Sequence, residues 1–241
     1  MPRYFIEVSY KGTNYSGFQK QRNANSVQSE LEKALEIFYR QRFELTGSSR
    51  TDAGVHALQN FFHFDSDTPL VDGTYNLNAI IPDDIVVKQI FMVAENAHCR
   101  FDAISREYHY YIYQQKDPFL QDRACYIPYP VDMALLQQAA GEIMMHNDFT
   151  SFSKRNTQVN NFLCSIYISE WVQEPDCLVY KVKANRFLRG MVKGLVGTML
   201  LIGKQKINLH EFRTIIESKD CTKSDFSMPP DGLFLHRVSF Q

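Results

Sequence analysis

Residues 47–56 read GSSRTDAGVH, a stretch with too many small residues for a helix interior and too few apolar ones for a central strand. It therefore predicts a loop. Gly47 and Gly54 bracket this loop and allow tight or positive-φ backbone at both ends. Between them lie one cation, Arg50, and one carboxylate, Asp52, so the charge chemistry of the loop rests on these two side chains.

Apolar, strand-like residues flank the loop on both sides. Phe43 and Leu45 precede it, and Phe61, Phe62 and Phe64 follow it. A polar loop held between two buried strands presents a reactive group on a rigid scaffold. A surface hairpin with an ordinary ion pair has the same residue pattern, so both interpretations stay open at this point.

The two charged side chains each have a functional and a structural interpretation. Buried beside a cation, Asp52 would stay ionised and could serve as a nucleophile or a base. Alternatively, its carboxylate stabilises a turn. Arg50 could pair with Asp52, hold a phosphate or enter a base stack, and the alternative is a solvated surface arginine.

The bulk composition is that of a soluble globular protein, with 241 residues, 44% apolar content and 22% charged content. The longest charge-free apolar run, 195–202, is too short to cross a bilayer. The first residues contain no apolar signal segment. We therefore expect a cytoplasmic protein that does not enter a membrane.

The cysteines and histidines give no indication of a metal centre. The five cysteines are widely spaced, and no pair has the spacing of a metal site or a redox motif. Reduced thiols in a cytoplasm explain them best, and we expect no metal. His56, His63 and His98 are scattered, and we interpret them as structural polar residues.

The net charge of −1 does not indicate a nucleic-acid partner, but the distribution of charge does. Residues 177–210 contain no Asp or Glu. They contain seven basic residues: Lys181, Lys183, Arg186, Arg189, Lys193, Lys204 and Lys206. A local basic field on a neutral protein can bind a polyanion. The alternative is that these cations are only solvated surface residues of a strand and a helix.

Hydrophobic periodicity predicts two α+β halves, each with an antiparallel sheet, that meet near Ala103. The halves are 1–103, which carries the polar loop, and 104–241. The predicted strands cover 3–10, 43–45, 59–64, 85–93, 106–113, 162–171, 178–184 and 233–240. The first predicted helix begins after a cap at Asn25 or Ser26. Four further helices are predicted at 75–80, 132–145, 189–202 and 208–218.

Two further pairs of residues are candidates for binding. Tyr108 and Tyr110 are two apart in a strand and share one face, where they could form a stacking platform for a base. The alternative is that the tyrosine side chains of this strand pack in the hydrophobic core. Arg189 and Lys193 are four apart and would share one helix face. Such a pair would suit a phosphate or a carboxylate, and the alternative is a solvated helix face.

Taken together, these segments resemble the TruA family of tRNA pseudouridine synthases along most of the chain. The matching segments are 10–19 (YKGTNYSGFQ), 26–32, 49–57 (SRTDAGVHA), 98–101 (HCRF), 106–110 (REYHY), 147–152 (NDFTSF), 185–193 (NRFLRGMVK) and 232–235 (GLFL). The segment at 49–57 is the most specific. The family usually carries arginine where Lys193 stands and histidine where Gly190 stands.

The resemblance implies two similar α+β halves joined into one large mixed sheet around a central basic cleft, the pseudouridine synthase fold. It implies a homodimer that binds the anticodon stem-loop of tRNA across both subunits. The implied reaction is the isomerisation of uridine to pseudouridine at tRNA positions 38–40 without a cofactor.

The resemblance also implies roles for individual residues. Asp52 matches the nucleophile, Tyr108 the residue that contacts the target base, and Arg50 an arginine near the flipped nucleotide. Lys193, together with Arg189, matches the basic helix block, in which one basic residue sits close to the aspartate.

Two other function classes stay open. A non-catalytic protein that binds structured RNA would need the aromatic and basic residues but not a clamped Asp52. A hydrolase with an aspartyl nucleophile would need a second acid–base carboxylate, and the loop contains none.

Overall fold

The computed structural model describes residues 1–155 and 159–240, and in these ranges the chain forms nine strands and five α-helices. The strands are β1 (Arg3–Tyr10), β2 (Thr46–Gly47), β3 (His56–Asp65), β4 (Ile85–Val93), β5 (Ala103–Tyr113), β6 (Cys125–Tyr126), β7 (Ile166–Gln173), β8 (Leu178–Ala184) and β9 (Leu233–Phe240). The helices are α1 (Val27–Tyr39), α2 (Thr74–Ile80), α3 (Met133–Ile143), α4 (Met191–Gly203) and α5 (Leu209–Glu217).

The chain divides into two units, and the first of them is discontinuous. It consists of residues 1–104 and the residues from 234 onward, whereas the second consists of residues 105–233. The sequence places the last strand in the C-terminal half. In the structure β9 instead pairs in parallel with β3, with Phe234 opposite His56. Pairing between segments so distant in sequence leaves no local pattern that could predict it.

The first unit is built on strands in the order β4-β1-β3-β9, with the short β2 on β3. β1 is antiparallel to both β3 and β4. Ser26 caps α1 by accepting a hydrogen bond from the backbone of Ser29. That helix buries Leu31 and Leu35 completely, and Phe62 of β3 is equally buried.

The second unit is built on strands in the order β5-β8-β7, with β6 on β5. β8 is antiparallel to both neighbours, which confirms the predicted hairpin of β7 and β8. α4 is buried along most of its length and packs against α3. In the described parts of the chain, no helix has the length and apolar character needed to span a membrane.

The predicted α+β class is confirmed, and the parallel pairing of β3 with β9 gives the strands their mixed character. The prediction of a strand at 43–45 is wrong, because β2 comprises only Thr46–Gly47. Side chains of α1 hold the backbone of Leu45 instead. Gln28 donates to its carbonyl at 2.8 Å, and Glu32 accepts from its amide at 3.5 Å.

Candidate active site

The loop between β2 and β3 alternates between buried and exposed side chains. Ser48, Ser49 and Thr51 are buried, whereas Arg50 and Asp52 are exposed. The uncharged residues therefore anchor the loop and turn its only cation and its only carboxylate towards solvent.

Main-chain hydrogen bonds fix the shape of this loop. The Ser48 amide donates to the Phe61 carbonyl at 2.8 Å, which ties the start of the loop to β3. The Val55 amide donates to the Asp52 carbonyl at 3.2 Å and closes a turn. Gly54 lies in this turn at a φ of 78°, a conformation that favours glycine, as the sequence predicts.

The segment that follows β1 packs against the loop from the other side. The Phe18 amide donates to the Thr51 carbonyl at 3.1 Å, and the Gly54 amide donates to the Tyr15 carbonyl at 3.4 Å. The ring of Phe18 stacks on Phe62 of β3 with 4.3 Å between centroids. The backbone on both sides of Asp52 is therefore held from two directions.

The carboxylate of Asp52 makes no hydrogen bond or ion pair with any residue in the described ranges. The same holds for the guanidinium of Arg50 within those ranges. Neither the ordinary ion pair nor the turn-stabilising carboxylate is therefore observed. The main chain of Asp52 closes the turn, which leaves its side chain without a structural role in the loop.

The histidines near the loop have structural contacts, as the sequence predicts. The imidazole of His56 stacks on Phe234 with 4.5 Å between centroids, and its Nδ1 accepts from the Gly12 amide at 3.0 Å. His63 contacts the thiol of Cys99, with Nδ1 and Sγ 3.2 Å apart. Burial lowers the pKa of His63 to about 4, so it is neutral at physiological pH.

Tyr108 lies in β5 of the second unit, opposite Val182 of β8. It keeps only 9% of its surface exposed, and its ring meets the edge of Phe187 with 5.0 Å between centroids. Tyr110 is completely buried and donates its hydroxyl to the Pro229 carbonyl. Tyr110 is thus a core residue, and Tyr108 is largely buried as well, with a small exposed fraction.

The start of α4 differs from the predicted geometry. The helix begins at Met191 after Gly190, whose φ of 75° marks the turn into the helix. Arg189 precedes this turn, so its four-residue spacing from Lys193 does not place both on one helix face. Arg189 is exposed, and Lys193 is half-buried in the first turn.

Lys154 is a basic residue at this helix start that the sequence interpretation missed. Its amide donates to the Arg189 carbonyl at 3.0 Å, and its aliphatic stem covers Gly190. A Cβ at Gly190 would lie 3.0 Å from the Lys154 Cγ. Lys154 also lines a cavity of about 330 Å³ with Arg155 and Lys219. Nothing in the sequence pattern associates Lys154 with α4, because Lys154 lies outside the acid-free stretch at 177–210.

The acid-free stretch at 177–210 does not form an acid-free surface. The Lys181 ammonium lies 3.0 Å from the Glu174 carboxylate. In the same sheet Glu170 stands opposite Lys181, and Glu107 stands opposite Lys183. Carboxylates from adjacent strands therefore offset part of the positive charge of β8, and Arg186 and Arg189 lie beyond its last residue.

Comparison with known proteins gives a consistent result. A family model described as tRNA pseudouridine synthase matches residues 6–102 and 140–241. A tRNA pseudouridine synthase A of Parabacteroides distasonis is 41% identical, over 100% of this chain and 96% of the relative. A protein with that name from Porphyromonas gingivalis is 42% identical, over 100% of this chain and 98% of the relative. Another from Staphylococcus aureus is 36% identical, over 98% of this chain and 91% of the relative.

The first matched block contains the polar loop, and the second contains α4 and β9, whereas Tyr108 lies between the two blocks. These matches place the chain in a class of isomerases. Within that class, the chain belongs to the tRNA pseudouridine synthase family. The resemblance to the TruA family is thereby confirmed, since the relatives bear the name tRNA pseudouridine synthase A.

Proposed function

We propose that this protein isomerises uridine to pseudouridine in the anticodon stem-loop of tRNA, at positions 38–40, with Asp52 as the nucleophile. The observation that carries the proposal is the exposed carboxylate of Asp52, held on a doubly anchored loop and engaged by no other described residue. Its exposure leaves the carboxylate accessible to a substrate, and the anchored loop fixes its position.

The chemistry requires few protein groups. The N1–C1′ bond of uridine breaks, the uracil turns, and a C5–C1′ bond forms. The proton on C5 is lost and N1 takes up a proton, so the product is an isomer of the substrate. Electrons are neither gained nor lost, so the reaction requires no redox cofactor. An ionised Asp52 could attack the sugar, add to the base or remove a sugar proton, and each of these steps needs an accessible carboxylate.

The residues around the substrate follow from the same proposal. Tyr108 would hold the detached uracil with its ring, because an aromatic face stacks on any base. Arg50 would lie near the flipped nucleotide, and Lys193 would supply positive charge for the ionised carboxylate or for a phosphate. Arg189 would contact the RNA backbone. Flipping the uridine costs a few kcal/mol, which such phosphate contacts would offset.

The assembly and location are part of the proposal as well. We propose a homodimer in the cytoplasm, with tRNA as the partner. The relatives' name, tRNA pseudouridine synthase A, supports the choice of tRNA as substrate. Sedimentation of the purified protein with and without tRNA measures both the subunit number and the binding stoichiometry.

The decisive variant is Asp52→Asn, which is nearly isosteric with aspartate but cannot act as an anion. Tritium is released from 5-tritiated uridine only when C5 becomes the glycosidic carbon. We expect Asp52→Asn to bind tRNA with near-wild-type affinity and to release no tritium. Asp52→Glu should also be severely slowed, because misplacing the carboxylate by about 1 Å can cost about a hundredfold.

A matched control is Asp67→Asn, which neutralises another exposed carboxylate of the first unit. Its tritium release should equal that of the wild type. Release from Asp52→Asn within a few fold of wild type would refute the catalytic assignment. Tight tRNA binding by a wild-type protein that releases no tritium would favour the non-catalytic RNA-binding alternative.

A further inference from the structure

A buried polar side chain lies in the middle of strand β3. Asn60 is completely buried, and it is followed in the strand by Phe61 and Phe62. Its Nδ2 donates to the Ser49 carbonyl at 2.8 Å and to the Tyr10 hydroxyl at 3.2 Å. Burying an amide is costly unless it is hydrogen-bonded, and both of these acceptors lie next to the polar loop or in it.

The Tyr10 hydroxyl continues the connection. Tyr10 is the last residue of β1 and is 5% exposed, and its hydroxyl lies 2.9 Å from Oγ1 of Thr51. A phenol can accept one hydrogen bond and donate another. The residues on both sides of Arg50, Ser49 and Thr51, are therefore bonded from within the unit to a single pair of buried side chains.

We propose that Asn60 and Tyr10 are positioning residues for the reaction, a role that rests on the proposed function of Asp52. By holding Ser49 and Thr51 inward, the pair fixes the alternation that turns Arg50 and Asp52 outward. An apolar residue at position 60 would suit the core of β3 better. Instead, the Nδ2 group of Asn60 donates to the loop at Ser49 and to Tyr10, which itself binds the loop at Thr51.

The most conservative test removes only the hydroxyl of Tyr10. In Tyr10→Phe the ring can stay packed beside Phe18, 5.9 Å away between centroids. The loop then loses its bond at Thr51, next to Asp52. We expect kcat for tritium release to fall about tenfold or more, since sub-ångström to ångström misplacement of a catalytic group is costly. KM and the Kd for tRNA should stay within twofold of wild type.

A control in the second unit makes the same chemical change. Tyr180 is completely buried, and its hydroxyl lies 2.9 Å from the Ser169 Oγ. Tyr180→Phe also removes a buried hydroxyl that is hydrogen-bonded, so the melting temperature should fall in both variants, and by more in Tyr10→Phe, whose hydroxyl has two such partners. The kcat of Tyr180→Phe should stay within twofold of wild type. Equal losses of kcat in the two variants would reduce the effect to general destabilisation and overturn the proposal.

A double-mutant cycle tests whether the hydroxyl of Tyr10 acts through Thr51. Thr51→Val removes the Oγ1 and keeps the shape of the side chain. If one hydrogen bond carries the effect, the double variant Tyr10→Phe with Thr51→Val should be no slower than the slower single variant. Asn60→Asp, which loses both donors of the amide, should be at least as slow as Tyr10→Phe. Additive losses in the cycle, or wild-type kcat in Asn60→Asp, would contradict the proposal.

Hydrogen exchange provides a readout that does not depend on activity. The amides of Ser48, Phe18 and Gly54 are all bonded in or against the loop. Tyr10→Phe should speed their exchange, and Tyr180→Phe should not. Unchanged exchange in Tyr10→Phe overturns the positioning role even if the proposed reaction is correct. Faster exchange in a protein whose wild type releases no tritium would support the anchoring and refute the proposed function instead.

Discussion

Asp52 and Glu142 show how differently two carboxylates are used in this molecule. Asp52 is exposed and meets no described partner, whereas Glu142 accepts two hydrogen bonds from the Arg213 guanidinium, each at 2.8 Å. The Nε2 of His146 lies 3.0 Å from Oε1 of Glu142 and donates to it, because an ionised carboxylate can only accept. A carboxylate committed in this way stabilises the fold, while an uncommitted one is available to a substrate.

Glu142 allows a test of stability against pH. Hydrogen bonding from Arg213 is the main cause that lowers the pKa of Glu142 from 4.5 to about 2. The stabilisation is therefore complete above pH 4.5 and is lost as the pH falls towards 2. Because Arg213 is half exposed, we expect Glu142→Gln to cost only about 1–2 kcal/mol at pH 7.

Urea unfolding at pH 7 and at pH 2.5 measures this difference. The gap between wild type and Glu142→Gln should shrink at the lower pH. The exposed pair of Arg42 and Glu36 is the control, and Glu36→Gln should change stability by less than about 0.5 kcal/mol. A gap for Glu142→Gln that is the same at both pH values would exclude the ionised carboxylate as its source.

The ring of Tyr108 allows a test of substrate contact. Tyr108→Ala removes the surface proposed to hold the uracil, whereas most binding energy for RNA comes from phosphates. We expect turnover to fall by at least about tenfold while the Kd for tRNA changes by less than about threefold. The exposed Tyr167 of β7 serves as the control, because Tyr167→Ala should leave both quantities unchanged. Wild-type turnover in Tyr108→Ala would assign this tyrosine to the core alone.

At the scale of elements, local patterns predicted much of the fold. β1, β4, β8 and β9 have the predicted bounds, because alternation of apolar residues is encoded within each strand. The strand predicted at 43–45 failed because Gln28 and Glu32 of α1 hold the backbone of Leu45. Hydrogen bonds from side chains of another element to the backbone do not affect the hydrophobic periodicity of the sequence, so the periodicity cannot predict them.

The candidate site was predictable to a similar extent. The loop follows from the small residues at 47–56. The exposure of Asp52 does not, because the functional interpretation of the sequence has this carboxylate buried beside a cation. The anchoring pair of Asn60 and Tyr10 does not either, since the two residues are fifty positions apart and no local pattern joins them. Lys154 was missed for the same reason, because only the folded chain brings it to Gly190.

The start of α4 allows a test of RNA binding. Lys154 and Arg189 place two cations at its first turn, and Arg189 is exposed. If both contact phosphates, Lys154→Gln with Arg189→Gln should weaken tRNA binding and lower the slope of log Kd against log salt by about 2. Lys33→Gln on α1 is the control, since Lys33 already pairs with Glu30. An unchanged salt slope in the double variant would show that these cations are only solvated.

At the scale of the whole molecule, the last strand completes the first unit. Phe240 of β9 contacts Phe5 and Phe61, with ring centroids 5.6 Å and 5.1 Å away. Since it is half-buried, Phe240→Ala should destabilise that unit by about 1–3 kcal/mol. Hydrogen exchange in β1 and β3 should accelerate. Phe119→Ala is the control, because Phe119 is 78% exposed and its loss should be nearly neutral. Unaltered exchange in β3 would mean that β9 contributes little to the unit.

The discontinuity of the first unit has a consequence for synthesis on the ribosome. The chain emerges from its N-terminus, so β3 leaves the exit tunnel more than a hundred residues before the strand that pairs with it. The residues of the second unit, 105–233, are all synthesised between these two strands. Until β9 emerges, the part of β3 that pairs with it is an unpaired edge, which is a hazard for aggregation. A ribosome that stalls before residue 233 would therefore hold a nascent chain that needs chaperone protection.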